Sequence, residues 1–361
     1  MNALFSEKQG RVADENAAPS ASSFSPRAAP AAPIVRLEHF SFTYEGAARP
    51  ALADLDLEVR PGEFVGVVGA EGSGRTTLFR VLNGSAPRHF RGTWSGIAEV
   101  GGLDACEVGH AELGVFVASI FDDPDAQIVS LTVEEEVCFA LVQRGLPSDI
   151  VAARMKEALA AVGLSGLERR ATSSLSGGQK QRLVTASALA LEPKLVLLDE
   201  STASLDPRGA RGLYSLLRAK CQKKGLAVVA VERDLELLME YADRVVAMES
   251  GRVVMDAGRR DIAPNSRLLK RIGVRLPAWI ETVDALGASG LLSAPLPATE
   301  AEAAARIVEL LVESKARTTR PHAIPPTISP APTGGSLTGG SLTGNMEENL
   351  AESLAERELP A

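Results

Sequence analysis

The sequence predicts an α/β fold built on a largely parallel sheet. Three short apolar runs, EFVGVVG (63–69), KLVLLDE (194–200) and LAVVAV (226–231), have the composition of strands covered on both faces. Helical patterns separate them, the alternation expected of parallel strands joined by crossovers. Apolar residues make up 45% of the chain but aromatics only 4%, so Ala, Val and Leu must do the packing, which suits close helix–sheet contact.

Residues 1–33, rich in Ala, Ser and Pro, are expected to form a disordered tail. IVRLEHFSFTY (34–44) reads as a strand whose apolar positions run through Val35 and Leu37, then shift one step to Phe40 and Phe42. ALADLDLEV alternates through Leu55, Leu57 and Val59, and Pro61-Gly62 makes a turn. The apolar strand 63–69 then runs straight into a Gly-rich loop. VEEEVCFALVQ (133–143) and SDIVAARMKEALAAVGL (148–164) have helical spacing, with Gly163 placed to end the second. They predict a helical subdomain between the first two apolar strands. A helix from Gly209 to Lys220 precedes the third.

Beyond Gly258, SRLLKRI, PAWIETVDALG and TEAEAAARIVELLVESK read as three short helices, the last opened by a capping box of Thr299 and Glu302. Residues 321–344 carry GGSLT in tandem and read as a flexible linker. The acidic end, with Met346, Leu350 and Leu354 on one helical stripe, reads as a solvated, partly helical tail, with docking of the stripe on a partner as the alternative. The organisation expected is therefore a tail (1–33), a main domain (34–262), a helical extension (263–320) and a linker with acidic tail (321–361).

Composition excludes several classes. The formal charge of −8 and the lack of a long basic stretch argue against nucleic acid as a main partner. Cys106, Cys138 and Cys221 are odd in number and far apart, so neither a disulfide framework nor a zinc site is expected, only reduced thiols. The N-terminus carries Glu7, Asp14 and Glu15 and lacks the apolar core of a signal peptide. No apolar run reaches the roughly 20 residues that span a bilayer. Any role in transport therefore needs another chain for the membrane path.

GAEGSGRTTL (69–78) follows a buried strand and opens a helix, the context of a phosphate-binding loop. Glycines at 69, 72 and 74 let backbone N–H groups converge on phosphate oxygens, and the helix N-terminus adds a positive field. Thr76 falls where a Mg²⁺-binding hydroxyl belongs, but Arg75 stands where the pattern wants Lys. An ordinary Gly-rich turn competes with this reading. A dinucleotide loop does not, because G-x-G-x-x-G from Gly72 would need glycine at Thr77.

LSGGQKQR (175–182) opens a strongly helical run, and KLVLLDE and STASLDP (201–207) come next. This order resembles the nucleotide-binding domain of ABC ATPases. The resemblance covers about residues 34–262, and the wording of 120–137, 231–246 and RIGVRLPAWIETVDALGASGL resembles the energy-coupling-factor and cobalt/nickel/vitamin importer branch. It implies a P-loop NTPase of ABC type: a mostly parallel core, an antiparallel β subdomain, a helical subdomain and a small C-terminal helical extension. ATP would be held by Tyr44 against the base and by Gly69, Ala70, Glu71, Gly72, Ser73, Gly74, Arg75, Thr76 and Thr77 around the phosphates. Thr76, Asp199 and Asp122 would serve Mg²⁺, Glu200 would polarise the attacking water, and Asp122 and Arg233 occupy the Gln-loop and switch positions of the catalytic set. Ser176, Gly177, Gly178 and Gln179 would face the ATP of a partner in a head-to-tail dimer, and Asp206 lies in the loop that couples the two sites.

Three positions depart from the family pattern: Arg75 for Lys, Asp122 for the Gln-loop glutamine and Arg233 for the switch histidine. Arg is a broad planar fork, not a point charge, and it cannot act as a neutral imidazole. The acid at 122 and the base at 233 offset one another and suggest a salt bridge between them. Either the changes are drift in a working site, or the site is degenerate within an asymmetric dimer. Three changes in one site beside an intact signature favour the second. The function implied is the ATP-hydrolysing subunit of an importer, peripheral at the cytoplasmic face of the membrane. Its partners would be an integral membrane subunit and a second, different ATPase. A non-hydrolysing scaffold that completes the partner's site is the alternative. A soluble ABC ATPase acting on DNA or ribosomes would call for long coiled coils or a second ABC domain, and neither appears.

Overall fold

The computed structural model describes residues 32–318 apart from positions 234, 294, 295 and 298, with side chains described as far as 313. The expectations for residues 1–31 and 319–361, including the linker and the stripe at Met346, Leu350 and Leu354, lie outside the described residues. Two compact units divide the chain, residues 1–310 and 311–361. The described part of the second is the end of a helix spanning Glu300–Thr318 (α11), and both sheets and all the other helices belong to the first.

Strands β1 (Val35–Tyr44), β2 (Leu52–Val59), β4 (Gly92–Val100) and β5 (Leu103–Asp104) form an antiparallel sheet of order β2-β1-β4-β5. The one-step shift read in β1 is a bulge. Its pairing with β2 slips between Leu37 and Phe40, where His39 takes φ 47°, and Val35, Leu37, Phe40 and Phe42 all end on the buried face.

The second sheet has the order β10-β9-β3-β8-β7-β6, from β3 (Phe64–Gly69), β6 (Val117–Ile120), β7 (Leu195–Asp199), β8 (Ala227–Val231), β9 (Arg244–Glu249) and β10 (Arg252–Gly258). All neighbours pair parallel except β9 and β10. The three apolar runs predicted from sequence are adjacent at its centre as β3, β8 and β7. They are apolar throughout because both faces are covered. Phe64, Val68, Val196, Leu198, Val228 and Ala230 pack on one side, and Val65, Val67, Leu195, Leu197, Val229 and Val231 on the other. Burying each Val, Leu or Phe side chain among them stabilises the fold by roughly 1.5–3 kcal/mol.

The second of these faces meets the antiparallel sheet and α1 (Arg75–Leu82). The first meets α6 (Pro207–Lys224) and α7 (Leu235–Tyr241), and also takes in Leu269 of α9 (Ser266–Arg271) and Ile280 of α10 (Ala278–Ala288). A third cluster joins α3 (Val133–Gln143), α4 (Ser148–Ala161) and α5 (Gly177–Ala190) into the helical subdomain. The short helices α2 (His110–Leu113) and α8 (Arg259–Ile262) complete the set.

The helix read as Gly209–Lys220 is longer at both ends. Asp206 caps its first turn by accepting the Gly209 N–H at 2.6 Å, Pro207 occupies the first helical position, and Gly225 ends it in the left-handed region. Thr299 Oγ1 accepts the Glu302 N–H at 3.2 Å, as its spacing suggests. Among the described residues, no helix is long and apolar enough to cross a membrane.

Candidate functional site

The C-terminal ends of β3, β6, β7 and β8 lie along one edge of the parallel sheet, where ligands bind in open α/β sheets. The loop 69–74 leaves β3 there and enters α1. Gly74 has φ 102°, and a Cβ on it would meet the Ala51 carbonyl at 2.7 Å, so only glycine fits. No side chain caps α1 and its first turn carries no acid, so its leading N–H groups are left for an anion. Ser73 Oγ is buried without a partner, and Thr76 is exposed on the same turn.

Tyr44 ends β1, half-buried and edge-on to Phe42 with ring centroids 4.9 Å apart. Its hydroxyl lies 3.1 Å from Thr77 Oγ1 and accepts from Arg80 Nη1 at 3.1 Å, which fixes the ring against α1.

Asp199 and Glu200 leave the end of β7. Burial pushes the Asp199 carboxyl up to about 6, and the charges of Glu200 and Asp122 add to the shift. Glu200 has φ 47°, a left-handed conformation unusual for a residue with a side chain. Asp122 follows β6. Its neighbour Phe121 is held by Gln127 Oε1, which accepts the Phe121 N–H at 2.8 Å, and by Gln181 Nε2, which donates to the Phe121 carbonyl at 3.1 Å. No group of three or more His, Cys, Asp or Glu among the described residues could hold a metal unaided. The crowding of Asp199 with Glu200 and Asp122 is nevertheless the setting a divalent cation relieves. Asp199, Asp122 and the Thr76 hydroxyl fit Mg²⁺ when phosphate and water oxygens fill its remaining positions.

The two substituted arginines converge on Glu200. Arg233 Nε donates to Glu200 Oε2 at 2.6 Å, and Arg75 Nη2 lies 3.8 Å from Glu200 Oε1. Arg75 is buried, and its Nη1 donates to the Glu232 carbonyl at 2.7 Å. Burial lowers its guanidinium below the usual arginine range, while Glu200 opposes that shift. The bond to Glu200 raises Arg233.

Ser176 begins α5 in a reciprocal capping box. Its Oγ accepts the Gln179 N–H at 3.3 Å, and Gln179 Oε1 accepts the Ser176 N–H at 3.0 Å. Gly177 and Gly178 come next with space for a Cβ, so the fold of this chain alone does not demand glycine at either position.

The family model for ABC transporters matches residues 52–203. An ABC transporter ATP-binding protein of Pyrococcus abyssi is 38% identical over 248 residues, 69% of this chain and 89% of the relative. The energy-coupling factor transporter ATP-binding protein EcfA1 of Listeria monocytogenes is 33% identical over 257 residues, 71% of this chain and 90% of its own length. Among solved structures, cbiO1 of Clostridium perfringens, part of the ABC transporter complex cbiONQ, aligns with a TM-score of 0.60 at 29% identity, covering 70% of this chain and 98% of that one. The chain belongs to the ABC transporter ATP-binding family. Its fold is that of an ABC cassette, the family is one of ATPases, and ATP is its nucleotide.

Within this ABC cassette the salt bridge suggested between Asp122 and Arg233 is not formed. Arg233 takes Glu200 as its hydrogen-bonded partner, and Asp122 acts on it only through its field, behind Glu200 and Glu71. Glu200 sits at the end of β7 directly beside the end of β8, because its N–H donates to the Val231 carbonyl at 3.0 Å. Register between parallel strands, not charge alone, decides the pairing.

The sequence reading also missed Glu232. It is buried at 6% exposure, and its Oε1 accepts from the Tyr214 hydroxyl at 2.6 Å and from Thr202 Oγ1 at 3.4 Å. Burial, with Glu200 and Asp199 adding, raises its carboxyl to about 7 against the pull of the Tyr214 bond. An acid at the exit of an apolar strand was the available signal.

Proposed function

We propose that this chain is the ATP-hydrolysing subunit of an importer of the energy-coupling-factor type, and that it drives solute uptake through a separate membrane subunit. Its own site turns over slowly, and its signature completes the site of a second, different ATPase. The observation that carries this reading is the hydrogen bond from Arg233 to Glu200, with Arg75 on the other carboxylate oxygen, beside an intact Ser176–Gln179 helix start.

ATP lies with its base on Tyr44 and its phosphates on the loop from Gly69 to Thr77, held by the N–H groups that open α1. Mg²⁺, when bound, neutralises phosphate charge. Thr76, Asp199 and Asp122 are the residues placed to hold it. Glu200 orients the attacking water only when its carboxylate is released from Arg233. Ser176 and the first amides of α5 meet the partner's γ-phosphate, and Asp206 lies in the loop between the two sites.

The kinship with EcfA1 and with cbiO1, itself part of a transporter complex, supports the membrane subunit and a peripheral place at the cytoplasmic face. The hold on Glu200 also favours a second reading, a nucleotide-binding scaffold that never hydrolyses. Co-purifying the chain with its partners, identifying them by mass spectrometry and comparing ATP turnover of the isolated chain and the complex tests both. The importer reading expects a membrane protein and a second ATPase in the complex, with turnover confined to it. A chain that purifies alone, without either, overturns the reading.

A further inference from the structure

Glu232 joins four parts of the molecule from one buried position. Its N–H donates to the Val67 carbonyl of β3 at 3.0 Å, and its own carbonyl accepts from Arg75. Its carboxylate accepts from Tyr214 on α6 and from Thr202 in the loop that leaves Glu200. That loop is two linked turns, closed by Ala203 N–H to the Glu200 carbonyl at 3.1 Å and Leu205 N–H to the Thr202 carbonyl at 3.0 Å. Ser204 then donates to Gln181 Oε1 at 3.4 Å, and Gln181 lies wholly buried on α5, the helix that Ser176 opens.

We propose that Glu232 is a positioning residue through which the state of this chain's own nucleotide site sets the placement of the loop 201–206 and of the signature helix. The inference rests on the two-site reading of the proposed function and names the residue that links the two sites. Arg75 is bound to the Glu232 main chain and Arg233 is its neighbour, so any movement of either toward phosphate pulls on Glu232. A buried carboxylate held by a fully buried tyrosine cannot yield by reorienting into water. The displacement therefore passes to Thr202, the more exposed of its two side-chain partners.

The test uses the complex purified with its partners, reading steady-state turnover and, separately, mant-ATP affinity of this chain. Glu232→Leu removes the acceptor. Glu232→Gln keeps an oxygen for Tyr214 and Thr202. Thr202→Val cuts only the link to the loop and leaves the Tyr214 bond intact, so it serves where Glu232→Leu does not fold. The expected result is a kcat at least tenfold lower in Glu232→Leu and at least threefold lower in Thr202→Val. KM and mant-ATP affinity should stay within about threefold, and Glu232→Gln should keep more than half of wild-type kcat. Wild-type kcat in Thr202→Val, or equal loss in Glu232→Gln and Glu232→Leu, overturns the inference. Gly177→Asp in the same assay separates the two ideas, since unchanged turnover there breaks the two-site reading whatever Glu232 does.

Discussion

Arg233 Nε and Glu200 Oε2 are 2.6 Å apart, so Arg233 holds the carboxylate proposed above as the catalytic base. The Arg233 side chain is 73% exposed while that of Glu200 is 24% exposed. An approaching phosphate can therefore compete for Arg233 from the solvent side without opening the core.

Arg233→His removes the hydrogen-bonded cation and should release Glu200. Together with Arg75→Lys and Asp122→Gln it should raise turnover of the slow site by about 10-fold, part of the 10²–10⁴ a positioned base supplies. ATPase assays of the triple variant in the complex check this, with transport measured alongside. Extra turnover without extra transport would mean that the site is held slow to keep the cycle coupled.

Tyr44→Ala should weaken ATP binding by about 1–3 kcal/mol, the range found for base–aromatic stacking. Tyr44→Phe keeps the ring and loses only the bonds to Thr77 and Arg80, so it should cost less. A mant-ATP titration decides. Wild-type affinity in Tyr44→Ala would show that Tyr44 ends β1 and braces α1 without touching the base.

Glu232 gives a pH signature. Its carboxyl is raised to about 7 in the fold, from an ordinary value near 4.3 in the unfolded chain. The folded state therefore binds the extra proton between these values, and stability from this group falls as pH rises through that window. Tyr214 on α6, Thr202 in the loop after β7 and the carboxylates of Glu200 and Asp199 at the end of β7 face it. Glu232→Gln cannot lose a proton, so its unfolding free energy in urea titrations should gain on wild type from pH 5 to pH 8, by roughly 2–4 kcal/mol at the upper end. Parallel free energies across that range would place the Glu232 carboxyl near its ordinary value.

Much of the fold was legible because its signals are local. The runs at β3, β7 and β8 are apolar throughout since both their faces are packed, and the phosphate loop and LSGGQ are written in consecutive residues. Strand β4 escaped because positions 93–97 are exposed and leave no buried alternation to read. Strand β6 has only four residues. The β9–β10 hairpin did leave a mark, Ser250-Gly251 with φ 50° and 79°, the positive pair a tight hairpin turn requires.

The site divided the same way. Each departure at 75, 122 and 233 was visible in sequence, but their pairing was not. The contact of Arg233 with Glu200 depends on the register of β7 against β8, and the role of Glu232 depends on Tyr214 meeting it across 18 residues of chain.

Steady-state ATPase of the assembled complex, with Gly177→Asp and Glu200→Gln compared, separates one working site from two. In the proposed dimer Gly177→Asp puts a carboxylate at the partner's γ-phosphate, and repulsion there should block closure and abolish turnover. Glu200→Gln removes a base from the slow site alone, so the complex should keep much of its activity. Equal damage from the two would mean that both sites fire, contradicting the account and leaving Arg75, Asp122 and Arg233 as tolerated drift.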